Sequence, residues 1–296
     1  MCINRTCVWY VGWILMLTGC ELSRSIPLDP PDYKPQLLIH CLASPMTGAQ
    51  ADIRYNKPLK EKDDNLVPPL PQMKVWLLKN GKRSQAFSQD SIGRFSISAD
   101  NLSLEPENSY ALEVVDMTNN TIYTSGSSLL PPKPQINFAT AIRDSDYVDN
   151  FALKILLEEV KEPVQAISVF PVLLDSLGQP AKRISGGGIQ KLTPWPKVRY
   201  RVQYNNDETW TEKELLYRLQ AGYLNNEDNY FPAREVNVYV MYLSDDLARF
   251  VRDLEESYFS GEDIFQMVRP IYSNFQNASG IFGLYNEIQL KIDIKG

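Results

Sequence analysis

The sequence predicts a mainly β chain, with an N-terminal immunoglobulin-like β-sandwich followed by a β-rich α+β domain carrying one or two packed helices. Three observations predict it. Between residues 37 and 130, short runs of alternating apolar and polar residues recur at roughly ten-residue spacing. Asn-Gly, Asn-Asn and Pro-rich signals punctuate those runs. Only two stretches of the chain carry the three- and four-residue apolar spacing of a helix. The length of 296 residues, 44% hydrophobic and 22% charged, is enough for two domains with cores of workable size.

In the first domain, 37–130, Leu37-Leu38-Ile39 starts one strand and Ala51 to Tyr55 forms a second. Met73 to Leu78 leads through Asn80-Gly81, a strong hairpin dipeptide, into Arg83 to Phe87. Phe95 and Ile97 alternate with serines, and Tyr110, Leu112 and Val114 alternate with Ala111 and Glu113. Asn119-Asn120 then turns the chain into Thr121 to Ser125. Pro131, Pro132 and Pro134 mark a boundary before the second domain, 135–296.

In the second domain, Phe151 to Leu157 and Val164 to Leu174 read as buried strands. Val198 to Tyr204 and Val236 to Tyr242 alternate as half-solvated ones. A helix is predicted over 244–259, where Leu243, Leu247, Phe250, Val251, Leu254 and Tyr258 share one face. Ser244 stands at its N-cap, Asp245 and Asp246 suit its first turn, and Gly261 ends it. A second helix is predicted over 211–221, with Thr211 and Glu214 as a capping box and Leu215, Leu216 and Leu219 buried.

The N-terminus reads as an address. Arg5 precedes an apolar run from Cys7 to Leu17, whose eleven residues cover only about half a bilayer core. Those are the proportions of a signal peptide, 1–19. The run ends in Leu17-Thr18-Gly19-Cys20, a bacterial lipobox. Small residues before the cysteine let the strand enter the peptidase, and the Cys20 thiol then carries the lipid. Two or three acyl chains hold a soluble domain on a membrane. Residues 20–36, with Pro27, Pro30, Pro31 and Pro35, read as a tether. Cys2 and Cys7 leave with the signal and Cys20 is acylated, so Cys41 remains alone and packs as a small hydrophobe.

The run from Val236 to Tyr285 carries a resemblance. An alternating strand leads to Tyr242-Leu243-Ser244 and a helix, then to Pro270-Ile271-Tyr272-Ser273-Asn274 and Asn277-Ala278-Ser279-Gly280-Ile281-Phe282-Gly283. This pattern, together with Asp149-Asn150-Phe151, resembles the Bacteroidota lipoprotein family catalogued as domain of unknown function 4249. The resemblance implies an envelope lipoprotein, often encoded near TonB-dependent outer-membrane receptors, with no established activity and no catalytic residues to transfer.

Chemistry is sparse. A formal charge of −6 argues against nucleic acid, which needs a basic footprint. The only histidine, His40, adjoins Cys41, and neighbours on a strand point to opposite faces, so they form no catalytic dyad. No zinc spacing occurs, and Ser185-Gly186-Gly187-Gly188 lacks the Lys-Ser/Thr of a phosphate loop. Asp144, Asp146 and Asp149 offer oxygen ligands for calcium without the spacing of an EF-hand. Trp195 and Trp210 are the candidate ligand-binding aromatics, with covering a core edge as their alternative use. Asp90-Ser91-Ile92 and Asp175-Ser176-Leu177 match the acidic-Ser-apolar pattern used for O-glycosylation in Bacteroidota.

The sequence therefore predicts an outer-membrane lipoprotein, anchored through Cys20, that is not an enzyme and needs no cofactor. It would act as an accessory binding component beside a TonB-dependent receptor. The alternatives are a stand-alone surface glycan- or ligand-binding lipoprotein and a carboxylate-dependent hydrolase, whose two acids would lie ~5–10 Å apart.

Overall fold

The computed structural model describes residues 34–56, 67–144, 150–158, 164, 166–181, 183–184, 202–204, 214–220, 222–224, 230–259 and 270–296. Among them the architecture is mainly β with one α-helix packed on it. The first sandwich sets β1 (Leu37–Ser44), β2 (Gly48–Tyr55), β5 (Ser88–Ser91) and β6 (Arg94–Ile97) against a second sheet. That sheet holds β3 (Met73–Lys79), β4 (Lys82–Ala86), β7 (Ser109–Asp116), β8 (Thr121–Thr124) and β9 (Ser128–Leu129). The alternation read from sequence is what packs them: Ile39, Cys41, Ala51, Ile53 and Phe95 from one sheet meet Val75, Leu77, Leu112 and Val114 from the other in one core. Asn80 (φ 51°) and Gly81 (φ 76°) turn the β3–β4 hairpin with both residues left-handed, the geometry that matches strand twist.

The second half has two wings. One is β10 (Ile136–Arg143), β11 (Asn150–Leu157) and β15 (Glu214–Gln220); the other is β12 (Ala166–Leu173), β14 (Val202–Tyr204) and β18 (Glu235–Leu243). Their inward faces, including Phe151, Leu153, Ile155, Leu215, Val169, Val238 and Val240, form the second core. Three short strands, β13 (Arg183–Ile184), β16 (Gly222–Leu224) and β17 (Tyr230–Pro232), make a separate small sheet.

The first sandwich and both wings of the second half are joined by β19 (Ser279–Lys295), a 17-residue strand. Its first part pairs in parallel with β1, Leu38 opposite Ser279 through Ala43 opposite Leu284. Its remainder pairs antiparallel with β18, Leu243 opposite Tyr285 through Glu235 opposite Asp293, and its last residues touch β10. The N-terminal sandwich thus takes a closing strand from the far side of the Pro131–Pro134 break, with Phe282 and Leu284 in its core.

The helix, α1 (Asp245–Phe259), lies where its spacing predicts and buries Leu247, Ala248, Phe250 and Val251 against Leu42, Met241, Ile281 and Tyr285. The start of β19 is therefore apolar on both sides, Phe282 and Leu284 facing the sandwich and Ile281 and Tyr285 facing α1.

The second predicted helix, 211–221, is corrected. Glu214–Gln220 is a strand in which Leu215, Tyr217 and Leu219 are buried while Leu216 stands 63% exposed. Leu215, Leu216 and Leu219 sit at helical spacing, but Leu215, Tyr217 and Leu219 also have period two. Seven pairings to β11 settle the choice in favour of the strand. The capping residue Thr211 lies outside the described residues.

Candidate functional site

Most residues singled out in the sequence fall outside the described part. These are Leu17, Thr18, Gly19, Cys20, Trp195, Trp210, Asp146 and Asp149. Asp144 is described, and its carboxylate takes Arg218 Nε at 3.1 Å. Among the described residues no group of His, Cys, Asp and Glu side chains is placed to hold a metal ion. No helix among them is long and apolar enough to cross a membrane.

His40 and Cys41 point to opposite faces of β1. Cys41 is fully buried in the sandwich core, and burial pushes its thiol pKa up, away from a reactive thiolate. His40 lies on the outer side, its ring 5.8 Å from that of Phe250 on α1. Burial first, then the Arg54 charge, lowers its pKa to about 4, with Asp52 opposing, so the imidazole is neutral at pH 7.

Ser244, Tyr272, Ser273, Asn274, Gly280 and Phe282, from the 236–285 run, come together at the junction of α1, β19 and the first sandwich. Asn274 faces Phe282 as if it were a strand residue: Nδ2 donates to the Phe282 carbonyl at 2.9 Å and Oδ1 accepts the Phe282 N–H at 3.0 Å. The same Nδ2 lies 3.1 Å from Asp246 Oδ2, and the Asn274 carbonyl accepts the Gly126 N–H at 2.6 Å. Tyr272 donates its hydroxyl to Asp246 Oδ1 at 2.6 Å, and its backbone N–H donates to Asp253 Oδ2 at 2.9 Å. Arg249 stacks 4.3 Å over the Tyr272 ring. Ser273 Oγ accepts the N–H groups of Phe275 and Gly280.

Ser244 belongs to the same junction. Its carbonyl accepts the Ala248 N–H, as the residue opening a helix should, but its hydroxyl accepts the Leu284 N–H at 3.1 Å. The predicted cap thus ties α1 to β19. That Asp246, Tyr272 and Asn274 meet was missed in the sequence reading, since side-chain bonds between a helix and the segment before β19 leave no periodic signal.

Chemically the junction is a clamp. Burial, and then the bond to Asp246, pushes Tyr272 up to about 12, and burial moves Tyr242 the same way. Together with His40 near 4, these groups are displaced away from neutrality, opposite to what acid–base catalysis at pH 7 requires.

A groove of about 430 Å³ lies elsewhere, lined by Gln85, Ser88, Ser96, Ser98 and Asn101 with Ala86 and Ile97. Gln85 donates to the Asn101 carbonyl, Asn101 Nδ2 to Ser98 Oγ at 2.9 Å, and Ser96 Oγ to Asp90 at 2.8 Å. Such amide and hydroxyl walls suit hydrogen bonding to a polar ligand. The two Asp-Ser-apolar tripeptides sit at exposed turns, with Ile92 84% and Leu177 82% exposed.

Comparison with known proteins assigns no relative. No family model matches the chain. A search of curated proteins finds no match either. Among solved structures, the chain aligns with that of a protein from Corynebacterium diphtheriae named as a candidate membrane anchored protein, at 12% identity and a TM-score of 0.20. The alignment covers 88% of this chain and 59% of the other, so the chain spans under two thirds of that protein's length. A TM-score of 0.20 is too low to transfer fold or function.

Proposed function

We propose that the protein is an outer-membrane lipoprotein, held by acyl chains on Cys20, that works as a non-enzymatic binding component beside a TonB-dependent receptor. The carrying observation is Leu17-Thr18-Gly19-Cys20 placed directly behind an eleven-residue apolar run. The use of Asp246, Tyr272 and Asn274 as a clamp supports a scaffold that presents surfaces over one that turns over substrate. The receptor partnership rests on the family resemblance.

The test is affinity purification of the tagged protein from gently solubilised outer membranes, with mass spectrometry of what accompanies it. A receptor in stoichiometric amount supports the reading, and recovery of the protein alone removes the partnership. Intact mass should show lipid on the wild type and none on Cys20→Ala, which should also leave the membrane fraction. Membrane retention of the variant without added lipid mass would defeat the anchor.

A second reading, a solitary binder of polar ligands such as glycans, is favoured by the groove around Gln85, Ser96 and Asn101. It predicts binding on a glycan array that Gln85→Ala and Asn101→Ala abolish without lowering stability.

A further inference from the structure

β19 runs between two ends of the described fold, and those ends differ. Leu37 and Leu38 of β1 lie beside Tyr55 and Arg54 of β2, Arg94 pairs with Asp52, and Leu38 lies beside Ser279. The beginning of β1, the beginning of β19 and the Ser91–Arg94 turn therefore share one end. Leu70 packs against Gly93 there, and Met73 pairs with Asp116, which brings the turn containing Met117 to the same end. The Asp175–Gln179 turn is at the opposite end, because Leu173 pairs with Val236 and Val236 with Ile292. Seventeen residues at ~3.3 Å separate the two ends by about 50 Å.

The end where β1 begins is also where the chain arrives from Cys20. Residues 20–33 supply fourteen residues, about 50 Å at their covalent limit. The opposite end would reach a membrane holding Cys20 only with that segment fully stretched along the body. The near end, in contrast, carries features a lipid surface fits. Ile92 is 84% exposed at a hairpin tip, with Met117 and Ile122 at 41% and 50%. Lys34, Arg54, Lys74 and Arg94 are exposed around them, in a chain whose formal charge is −6. Of the described acids at this end, Asp116 is buried and accepts the N–H groups of Thr118 and Asn119, Asp90 accepts Ser96 Oγ, and Asp52 is half-buried opposite Arg94 on the neighbouring strand.

We propose that this end is a second contact with the membrane, in which Ile92 enters the headgroup boundary of an anionic lipid surface while Arg54 and Arg94 pair with its phosphates. Apolar insertion beside basic residues is how peripheral surfaces hold a bilayer. The proposal rests on the lipid anchor at Cys20 and adds an orientation to it, with the Leu177 turn pointing away.

The experiment uses the full, processed chain reconstituted into phosphatidylethanolamine–phosphatidylglycerol vesicles, with a nitroxide on Ile92→Cys or, as reference, Leu177→Cys. Buried Cys41 stays unlabelled. The label at 92 should show oxygen accessibility about threefold above that at 177 and lower access to a water-soluble nickel chelate, as expected for insertion into the boundary. Arg54→Glu with Arg94→Glu should return it to the aqueous value. Vesicle-bound protein with equal, aqueous labels at both positions overturns the proposal and leaves the anchor standing. Protein that fails to float with the vesicles overturns both. A sugar found on Ser91 of the native protein would also overturn it, because a hydrated glycan keeps the tip out of lipid.

Discussion

Asn274 and Phe282 are joined by both polar atoms of the asparagine side chain, at 2.9 and 3.0 Å. A side-chain amide thereby replaces a strand partner at the point where β19 enters the first sandwich. Asn274→Ala should lower unfolding free energy by about 2–3 kcal/mol, since the Phe282 N–H and carbonyl lose their partner. Asn274→Asp should cost more, because it sets a carboxylate against the Phe282 carbonyl and Asp246. Urea denaturation of the three proteins checks the order, and equal midpoints would remove the clamp from the account.

Gly280 has φ 128°, and a Cβ there would lie 2.0 Å from the Ile39 carbonyl oxygen. Gly280→Ala should therefore cost more than about 4 kcal/mol or yield no folded protein, as it breaks the parallel ladder with β1. Gly81→Ala, where nothing lies within 4 Å, should cost only about 1 kcal/mol from its φ of 76°. Thermal melts of the pair provide the comparison.

His40 contributes a pH dependence of its own. Its pKa is about 4 in the folded protein against 6.5 when exposed, so the unfolded chain binds the extra proton between those values. Its contribution is complete above pH 6.5 and is lost as pH falls toward 4, by at most about 3 kcal/mol. The difference in urea midpoint between wild type and His40→Gln, followed from pH 7.5 to 4.5, isolates it from the carboxylates. A difference constant across that range would disprove the assignment.

Cys41 reports on opening of the first core. Its thiol is buried and held protonated, so a maleimide should leave it unmodified in the folded protein and label it fully in urea. Fast native labelling, read as mass, would place Cys41 outside the core.

Strands β3 and β7 of the first sandwich were legible because apolar residues facing the core, Val75 and Leu77 or Leu112 and Val114, alternate with less buried ones such as Trp76 and Glu113. The helix at 245–259 was legible because one apolar stripe runs its length. Residues 214–220 misled because Leu215 and Leu219 fit both periods, and the deciding partner, β11, lies some sixty residues earlier. The clamp was illegible because Tyr272 and Asn274 reach Asp246 and Phe282 through side-chain bonds that no periodicity marks. The pairing of β1 with β19, about 240 residues apart in sequence, was equally unmarked.

That pairing also sets an order of events. Phe275, Ala278, Phe282 and Leu284 belong to the same core as Ile39 and Cys41, so the sandwich nearest the N-terminus stays open until residues 275–284 exist and reach it. Closing so long a loop is slow, and the first half cannot lock while the second is still being delivered. A chain built this way completes its first core only after its last strand has been made and has returned to it.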